Sequence, residues 1–258
     1  MTSILTTVNN FVEQLTISVL RRGKIPRHVG FILDGNRRYA RKAGASSTKF
    51  GHYEGFRQLE KLGIEAVTVY AFSLENFNRS KDEVEYLMQL FCDAFEGFCE
   101  KNALVDKYEV GVRFLGNISL LPQKVQEASR KVTEQTRKYK KRIFNVCCPY
   151  GSRDEMTTAL KETIELVKEG KLAVDDITDQ TIKDHLFTAD CPPLDILVRT
   201  SGEIRLSDFL LWQAADHCQI QFVNCYWPEF SLWRFLPILL EYQIYSDHQA
   251  EQKEVTYN

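Results

Sequence analysis

Three short stretches of the sequence combine isolated acids with arginines, hydroxyls and amides. They are DGNRRYARK from residue 34, AFSLENFNRSKDEV from residue 71 and RTSGEIRLSDF from residue 199. The candidate residues are Asp34, Gly35, Asn36, Arg37 and Arg38 in the first stretch, Phe72, Ser73, Glu75, Asn76 and Arg79 in the second, and Arg199, Glu203, Arg205 and Ser207 in the third. Arginine forks match phosphate oxygens, and Mg²⁺ is typically held by one or two carboxylates together with substrate phosphates. The combination therefore indicates a site for a small phosphorylated anion with bound Mg²⁺.

The pattern between these stretches predicts the elements that would bring them together. Strands are predicted at residues 28–33 and within IEAVTVYAF, YEVGVRFLG, RIFNVCCPYG, DILVRTSG and IQFVN. Helices are predicted near residues 9–22 and 52–61 and within KDEVEYLMQLFCDAFEGFCEK, LPQKVQEASRKVTEQTRKY, SRDEMTTALKETIELVKEG, DFLLWQAAD and SLWRFLPILLEYQ. In SRDEMTTALKETIELVKEG, Ser152 is predicted as the N-cap, with Glu155 completing a capping box.

This alternation of strands and helices predicts one α/β domain with a mainly parallel central sheet covered by helices on both faces. Ligands of such sheets bind beyond the carboxyl ends of the strands. Asp34, Phe72, Ser73 and Arg199 each fall just past a predicted strand or at its end. The three stretches are therefore expected to meet at one edge of the sheet.

Each stretch also has an ordinary structural interpretation when it is taken alone. An Asp-Gly-Asn sequence after a strand is commonly a turn, and Arg79 could be a solvated surface charge. Arg199 and Arg205 could form structural ion pairs. The functional interpretation depends on all three stretches occurring together at strand ends.

The composition limits the class of protein. The 258 residues carry a formal net charge of −2, with 44% hydrophobic and 26% charged residues, which is typical of a globular protein. A general nucleic-acid binder would be basic, so no nucleic-acid partner is expected. Seven cysteines without a CxxC pair predict reduced thiols rather than a zinc site or a disulfide framework. No run of about 18 apolar residues occurs, so no membrane span is predicted.

Five motifs carry a family resemblance. They are FILDGNRRYA, GHYEGF, VTVYAFSLENFNRSKDEVEYLM, ILVRTSGEIRLSDFLLWQ and YWPEF, and in this order they cover most of the chain from Lys24 to Gln243. With them the chain resembles the cis-prenyltransferases, the undecaprenyl and dehydrodolichyl diphosphate synthases, and in particular the eukaryotic catalytic subunits. The resemblance implies Mg²⁺-dependent condensation of isopentenyl diphosphate onto farnesyl diphosphate. It also implies an apolar tunnel for the growing chain and a long-chain polyprenyl diphosphate product used in dolichol synthesis and protein glycosylation.

The resemblance also assigns roles to individual residues. Asp34 is implied to hold Mg²⁺, His52 to assist departure of the leaving group, and Asn76 to act in proton removal or in ordering its loop. The implied allylic-site residues are Gly35, Asn36, Arg37 and Arg38 at the diphosphate, Phe72 and Ser73 where head group meets tunnel, and Arg79 in support. The implied isopentenyl diphosphate ligands are Arg199, Arg205 and Ser207.

The chain departs from the family pattern at several places. The segment between His52 and Glu65 is about seven residues shorter than in family members, close to two helical turns. Gln219 stands eight residues before the WP pair, where bacterial members have a metal-binding glutamate. The chain ends in EQKEVTYN rather than in the Arg-x-Gly tail of homodimeric members. A heterodimer with a homologous subunit that carries this tail is therefore expected.

The domain organisation follows from the resemblance. Residues 1–23 are expected to form an amphipathic helix, residues 24–246 the catalytic domain and residues 247–258 a short polar tail. The first helix could lie on a membrane surface or cap the domain, and both interpretations stay open. Peripheral association with the cytosolic face of the endoplasmic reticulum is expected. The alternative functions are a non-catalytic partner subunit of the same fold and a nucleotide-binding protein. Against the second alternative, no Gly-rich phosphate-binding sequence follows any predicted strand.

Overall fold

A computed structural model describes residues 2–35, 38–39, 62–98 and 104–256. Its strands are β1 (His28–Ile32), β2 (Ala66–Tyr70), β3 (Val110–Leu115), β4 (Arg142–Cys147), β5 (Ile196–Arg199) and β6 (Gln219–Phe222). Its α-helices are α1 (Thr2–Leu20), α2 (Lys81–Phe98), α3 (Leu104–Lys107), α4 (Gln123–Thr136), α5 (Ser152–Lys168), α6 (Asp179–Lys183) and α7 (Leu232–Thr256). Short 3₁₀ helices lie at Leu74–Asn78, Ile118–Leu120, Val174–Asp176 and Trp227–Glu229.

The strands form a single parallel sheet. Across the described ranges its order is β3-β4-β2-β1-β5-β6, and every neighbouring pair is parallel. Strands β1, β2 and β5 are buried along their whole length, as expected for central strands covered on both faces. The predicted single α/β domain with a parallel, helix-covered sheet is confirmed.

The two faces of the sheet carry separate hydrophobic cores. Alternate residues of β1 point to opposite faces, so Phe31 packs into one core and Ile32 into the other. The Phe31 core contains the aromatic ring of Trp227, 5.3 Å away between centroids. The opposite core contains Phe209, whose ring stacks on Tyr70 at 4.5 Å. Burial of each such large side chain contributes roughly 1.5–3 kcal/mol.

Helix α1 packs one side of its C-terminal half against the domain and exposes apolar residues on the other. Its C-terminal turn buries Ile17 and Leu20 in the core, and the Leu20 carbonyl accepts a hydrogen bond from Gln243 of α7 at 2.8 Å. Phe11, Leu15 and Val19, which recur every four residues, remain exposed. No helix in the described residues is long and apolar enough to cross a membrane. Helix α7 continues to Thr256, through most of the segment predicted as a polar tail.

Two local predictions are wrong. The segment DFLLWQAAD forms turns rather than a helix, because Asp208 and Leu210 have φ values of 60° and 46°, outside the helical region. Ser152 is the first residue of α5 and not its N-cap, which is Gly151. Glu155 does not complete a capping box, since its buried carboxyl accepts hydrogen bonds from the Tyr150 hydroxyl and from the Phe187 amide.

Some sequence predictions lie outside the described residues. They are the helix at 52–61, the shortened segment after His52, and three of the candidate site residues: Asn36, Arg37 and His52.

Candidate active site

The register of three central strands brings the candidate stretches together. Ile32 of β1 is opposite both Tyr70 of β2 and Arg199 of β5, so the three strands end at the same level. Asp34 and Ser73 follow the first two of these ends within three residues. The predicted convergence at the carboxyl edge of the sheet is therefore present in the structure.

Asp34 lies at the centre of this edge. Its Oδ2 accepts a hydrogen bond from Nη2 of Arg199 at 3.0 Å, and its Oδ1 accepts from the Gly35 amide at 2.6 Å. The Arg38 guanidinium is 3.3 Å from the same Oδ1. Burial opposes ionisation of the carboxyl, but the hydrogen bonds from Arg199 and Gly35 outweigh it and lower the pKa of Asp34. Asp34 is therefore an anion at neutral pH.

Arg199 links Asp34 to the third stretch. Its side chain is only 4% exposed, and Nη1 donates to Oγ of Ser207 at 2.7 Å and to the Arg205 carbonyl. Its Nε is buried and has no acceptor among the described residues. A buried guanidinium with an unused N–H at a polar edge can donate one more hydrogen bond to an anionic ligand.

Two exposed arginines flank this pair and share Glu203. Arg205 contacts Glu203 at 2.5 Å between Nη1 and Oε2, and Arg38 is 3.5 Å from its Oε1. Arg38 also lies over the ring of Tyr226, 5.8 Å from its centroid. Because the Arg205 side chain is 64% exposed, its pairing with Glu203 is weak and exchangeable. Glu203 was a candidate from the third stretch, but its position between two arginines could not be inferred from spacing.

Gly35 has a conformational and a steric requirement. Its φ is 91°, in the left-handed region, and a Cβ atom there would lie 2.5 Å from Cδ1 of Tyr226 and 2.8 Å from Oγ of Ser201. Only glycine fits this turn without strain. Glycine here lets the chain turn directly after Asp34, with the Gly35 amide on the Asp34 carboxylate.

The second stretch forms a capped loop beside the site. Ser73 Oγ accepts from the Asn76 amide, and Asn76 Oδ1 accepts from the Ser73 amide, both at 3.2 Å. Asn76 therefore makes the contacts of a loop-ordering residue. Arg79 pairs with Glu83 of α2 at 2.7 Å. Phe72 is buried against the rings of two further aromatic residues in this region, Phe77 and Phe91, at centroid distances of 5.0 and 5.9 Å.

The donor set fits a cation that is bound partly by its substrate. The described residues contain no group of three or more His, Cys, Asp or Glu side chains arranged to hold a metal. Asp34 supplies one hard carboxylate ligand, which suits Mg²⁺ that keeps water and phosphate oxygens. Gln219 is opposite Ile196, at the start of β6. About three residues, or roughly 10 Å, separate it from the edge where Asp34 lies.

The fold and this edge together define a class. A parallel α/β protein whose strand ends carry carboxylates between arginines is suited to bind phosphorylated ligands.

Comparison with known proteins identifies the family. The sequence profile described as putative undecaprenyl diphosphate synthase matches residues 32–249. The chain is 39% identical to a dehydrodolichyl diphosphate synthase complex subunit of Schizosaccharomyces pombe over 240 residues, covering 90% of each protein. It is 40% identical to the corresponding Homo sapiens complex subunit over 248 residues, covering 93% of this chain and 73% of the human protein.

A solved structure agrees with the sequence comparison. Lavandulyl diphosphate synthase from Lavandula x intermedia, in complex with dimethylallyl diphosphate, superimposes with a TM-score of 0.74 and 29% identity. The match covers 84% of this chain and 95% of that one. The chain belongs to the cis-prenyltransferase family of polyprenyl diphosphate synthases. Its predicted identity as a cis-prenyltransferase enzyme is confirmed.

Proposed function

We propose that this protein condenses isopentenyl diphosphate onto farnesyl diphosphate, with Mg²⁺ held at Asp34, to make a long-chain dehydrodolichyl diphosphate. The product would serve dolichol synthesis and protein glycosylation. The observation that carries the proposal is the ionised Asp34 joined to the buried Arg199 at the aligned strand ends. The names of the Schizosaccharomyces pombe and human relatives support the dehydrodolichyl product.

The arginines would bind and orient the two diphosphates. Arg199 offers an unused Nε, and Arg205 and Arg38 can exchange their contacts with Glu203 for phosphate oxygens. Charge-assisted hydrogen bonds from such forks are about twice as strong as neutral ones and fix the orientation of a diphosphate. Mg²⁺ bound at Asp34 would neutralise charge on the departing diphosphate.

Catalysis would depend chiefly on position and charge. Holding the isopentenyl double bond against the allylic carbon removes much of the entropic cost of bringing the two substrates together. The fixed guanidinium groups stabilise the negative charge that develops on the leaving group. Asn36, Arg37 and His52, which lie outside the described residues, are proposed to contribute at the allylic diphosphate, and Gly35 to leave room for it.

An apolar path for the hydrocarbon would start at Phe72. The rings of Phe72, Phe91, Phe95 and Phe114 follow one another at centroid distances of 5.9, 5.9 and 4.4 Å from the second stretch to β3. Phe91 and Phe114 are only partly buried, so one side of this row is accessible. We propose that the row lines the tunnel for the growing chain.

A partner subunit and a membrane surface complete the proposal. The relatives' printed description as complex subunits supports a heterodimer with a homologous subunit. The exposed stripe of Phe11, Leu15 and Val19 on α1 supports contact with a membrane surface, which we propose to be the cytosolic face of the endoplasmic reticulum. Arg21 and Arg22 follow the stripe and would meet anionic head groups.

Incorporation of labelled isopentenyl diphosphate tests the function. The purified chain, alone and with its homologous partner, is incubated with farnesyl diphosphate and Mg²⁺, and extracted lipid is counted. We expect weak incorporation alone and strong incorporation with the partner. Binding of a nucleotide without any incorporation in either mixture would contradict the proposal.

A further inference from the structure

The loop that carries Arg205 and Ser207 has an unusual backbone. Ser207, Asp208 and Leu210 have φ values of 51°, 60° and 46°, in the left-handed region that residues other than glycine rarely adopt. Residues in this region persist only where surrounding contacts hold them. The contacts of this loop therefore show what keeps it in shape.

The loop is fastened to the start of α5. The Asp208 carbonyl accepts a hydrogen bond from the Ser152 amide at 2.7 Å, and Asp208 Oδ1 accepts from the Arg153 amide at 3.1 Å. In return, the Leu211 amide donates to Oγ of the fully buried Ser152 at 2.9 Å. The first N–H groups of a helix have no partner within it, and Gly151, the N-cap, has no side chain to offer one. Asp208 supplies the missing acceptors for the Ser152 and Arg153 amides from the loop.

The fastened residue is adjacent to the ligand-binding groups. Ser207 Oγ accepts from Arg199, and the Ser207 carbonyl accepts from the Tyr70 hydroxyl at 3.2 Å. The Arg205 carbonyl accepts from the same arginine. Because two of the three acceptors that orient the Arg199 fork lie on this loop, the position of the main chain at 205–208 affects where the fork points.

The start of α5 also contacts the other substrate loop. Arg153 Nε lies 3.2 Å from Asp208 Oδ1, and its Nη2 lies 3.6 Å from Oε1 of Glu75. The main chain of Tyr150 exchanges hydrogen bonds with the second stretch, donating to the Phe72 carbonyl and accepting from the Leu74 amide, both at 3.0 Å. The exposed ion pairs of Arg153 are individually weak, so the backbone contacts dominate.

We propose that Asp208 is a positioning residue, which clamps the isopentenyl diphosphate loop to α5 and thereby sets the Arg199 fork. Residues 150–153, which lead into α5, are the common support of both substrate loops, and Arg153 adds a weaker tie between them. The kinetic consequence rests on the proposed function. The clamp itself does not, and it can be measured separately.

Steady-state kinetics of the reconstituted complex test the consequence. Asp208→Ala should raise the KM for isopentenyl diphosphate roughly 10-fold, the lower end for loss of a charge-assisted hydrogen bond, and change the KM for farnesyl diphosphate by about 2-fold or less. Asp208→Asn keeps an Oδ1 acceptor for the Arg153 amide but not its charge, and should recover part of the loss. Asp154→Ala removes an acid from the first turn of α5, next to Arg153, and serves as the matched control. Equal rises in both KM values, or no recovery in Asp208→Asn, would overturn the proposal.

Hydrogen exchange of the free protein tests the clamp without turnover. The peptide covering residues 203–211 should exchange about 10-fold faster in Asp208→Ala than in the wild type, while peptides of α2 stay unchanged. Unchanged exchange in 203–211 would overturn the clamp. If the wild-type complex incorporates no label but exchange rises as expected, the proposed function fails and the clamp stands.

Discussion

Replacing Arg199 by lysine probes the buried cation of the site. The guanidinium joins three acceptors: the Asp34 carboxylate at 3.0 Å, Ser207 Oγ at 2.7 Å and the Arg205 carbonyl. A lysine ammonium on a single stem cannot reach across this fork, so at least one charge-assisted hydrogen bond is lost. Such a bond contributes about 1.5–3 kcal/mol, which corresponds to roughly 10- to 150-fold in affinity. The KM for isopentenyl diphosphate should rise by this factor.

Initial rates of label incorporation measure the effect. Isopentenyl diphosphate is varied at saturating farnesyl diphosphate, and then the reverse. We expect the KM for farnesyl diphosphate to change by about 2-fold or less, because Arg199 contacts the isopentenyl diphosphate loop. Arg113→Lys is a matched control, since Arg113 lies on the edge strand β3 and pairs with Asp190. Equal changes in both KM values, or a fully active Arg199→Lys, would refute this division of the site.

Two further predictions concern stability and membrane contact. Burial lowers the pKa of His28 to about 4 from an ordinary 6.5, so the unfolded chain binds a proton that the folded chain does not. The free energy of unfolding should therefore fall by about 3 kcal/mol as the pH drops from about 6.5 to 4. When this free energy is measured by urea unfolding at several pH values, it should fall less with pH in His28→Gln than in the wild type; an equal fall in both proteins contradicts this. In vesicle sedimentation, the double variant Leu15→Ser/Val19→Ser should bind anionic vesicles roughly 10-fold more weakly than the wild type. The control Gln14→Ser, also on the exposed part of α1, should bind as the wild type does. Equal binding by the wild type and both variants contradicts this.

Much of the fold could be predicted from the sequence because buried parallel strands are apolar along their length. Strands β1, β2 and β5 are such apolar runs in the sequence. Because parallel strands share one direction, Asp34 and Arg199 could be placed at the same carboxyl edge of the sheet. The segment DFLLWQAAD was wrongly predicted as a helix because its apolar pattern indicates only that residues such as Phe209 and Leu210 are buried. Burial alone does not specify the backbone conformation.

The contacts within the site were less accessible to sequence reasoning. The Ser-x-x-Glu spacing at Ser152 matches a capping box, yet Glu155 is buried beneath Tyr150. Asp208 is 55 residues from the amide it caps, and no local pattern indicates such a partner. Residue types and strand ends located the site, but pairings between distant segments needed the structure.

Whether catalysis resides in this chain is tested by placing one inactivating change in this chain alone. Asp34→Ala is combined with the wild-type homologous partner, and incorporation of labelled isopentenyl diphosphate is measured at saturating Mg²⁺. The Asp34 side chain is partly exposed at the strand end, so the variant should fold and still form the complex, as far-ultraviolet circular dichroism and gel filtration would verify. We expect incorporation to fall by at least about 100-fold, the scale of a lost electrostatic contribution at a reacting centre. Near-normal incorporation by this complex would contradict it, because catalysis would then reside in the partner and this chain would be the non-catalytic subunit.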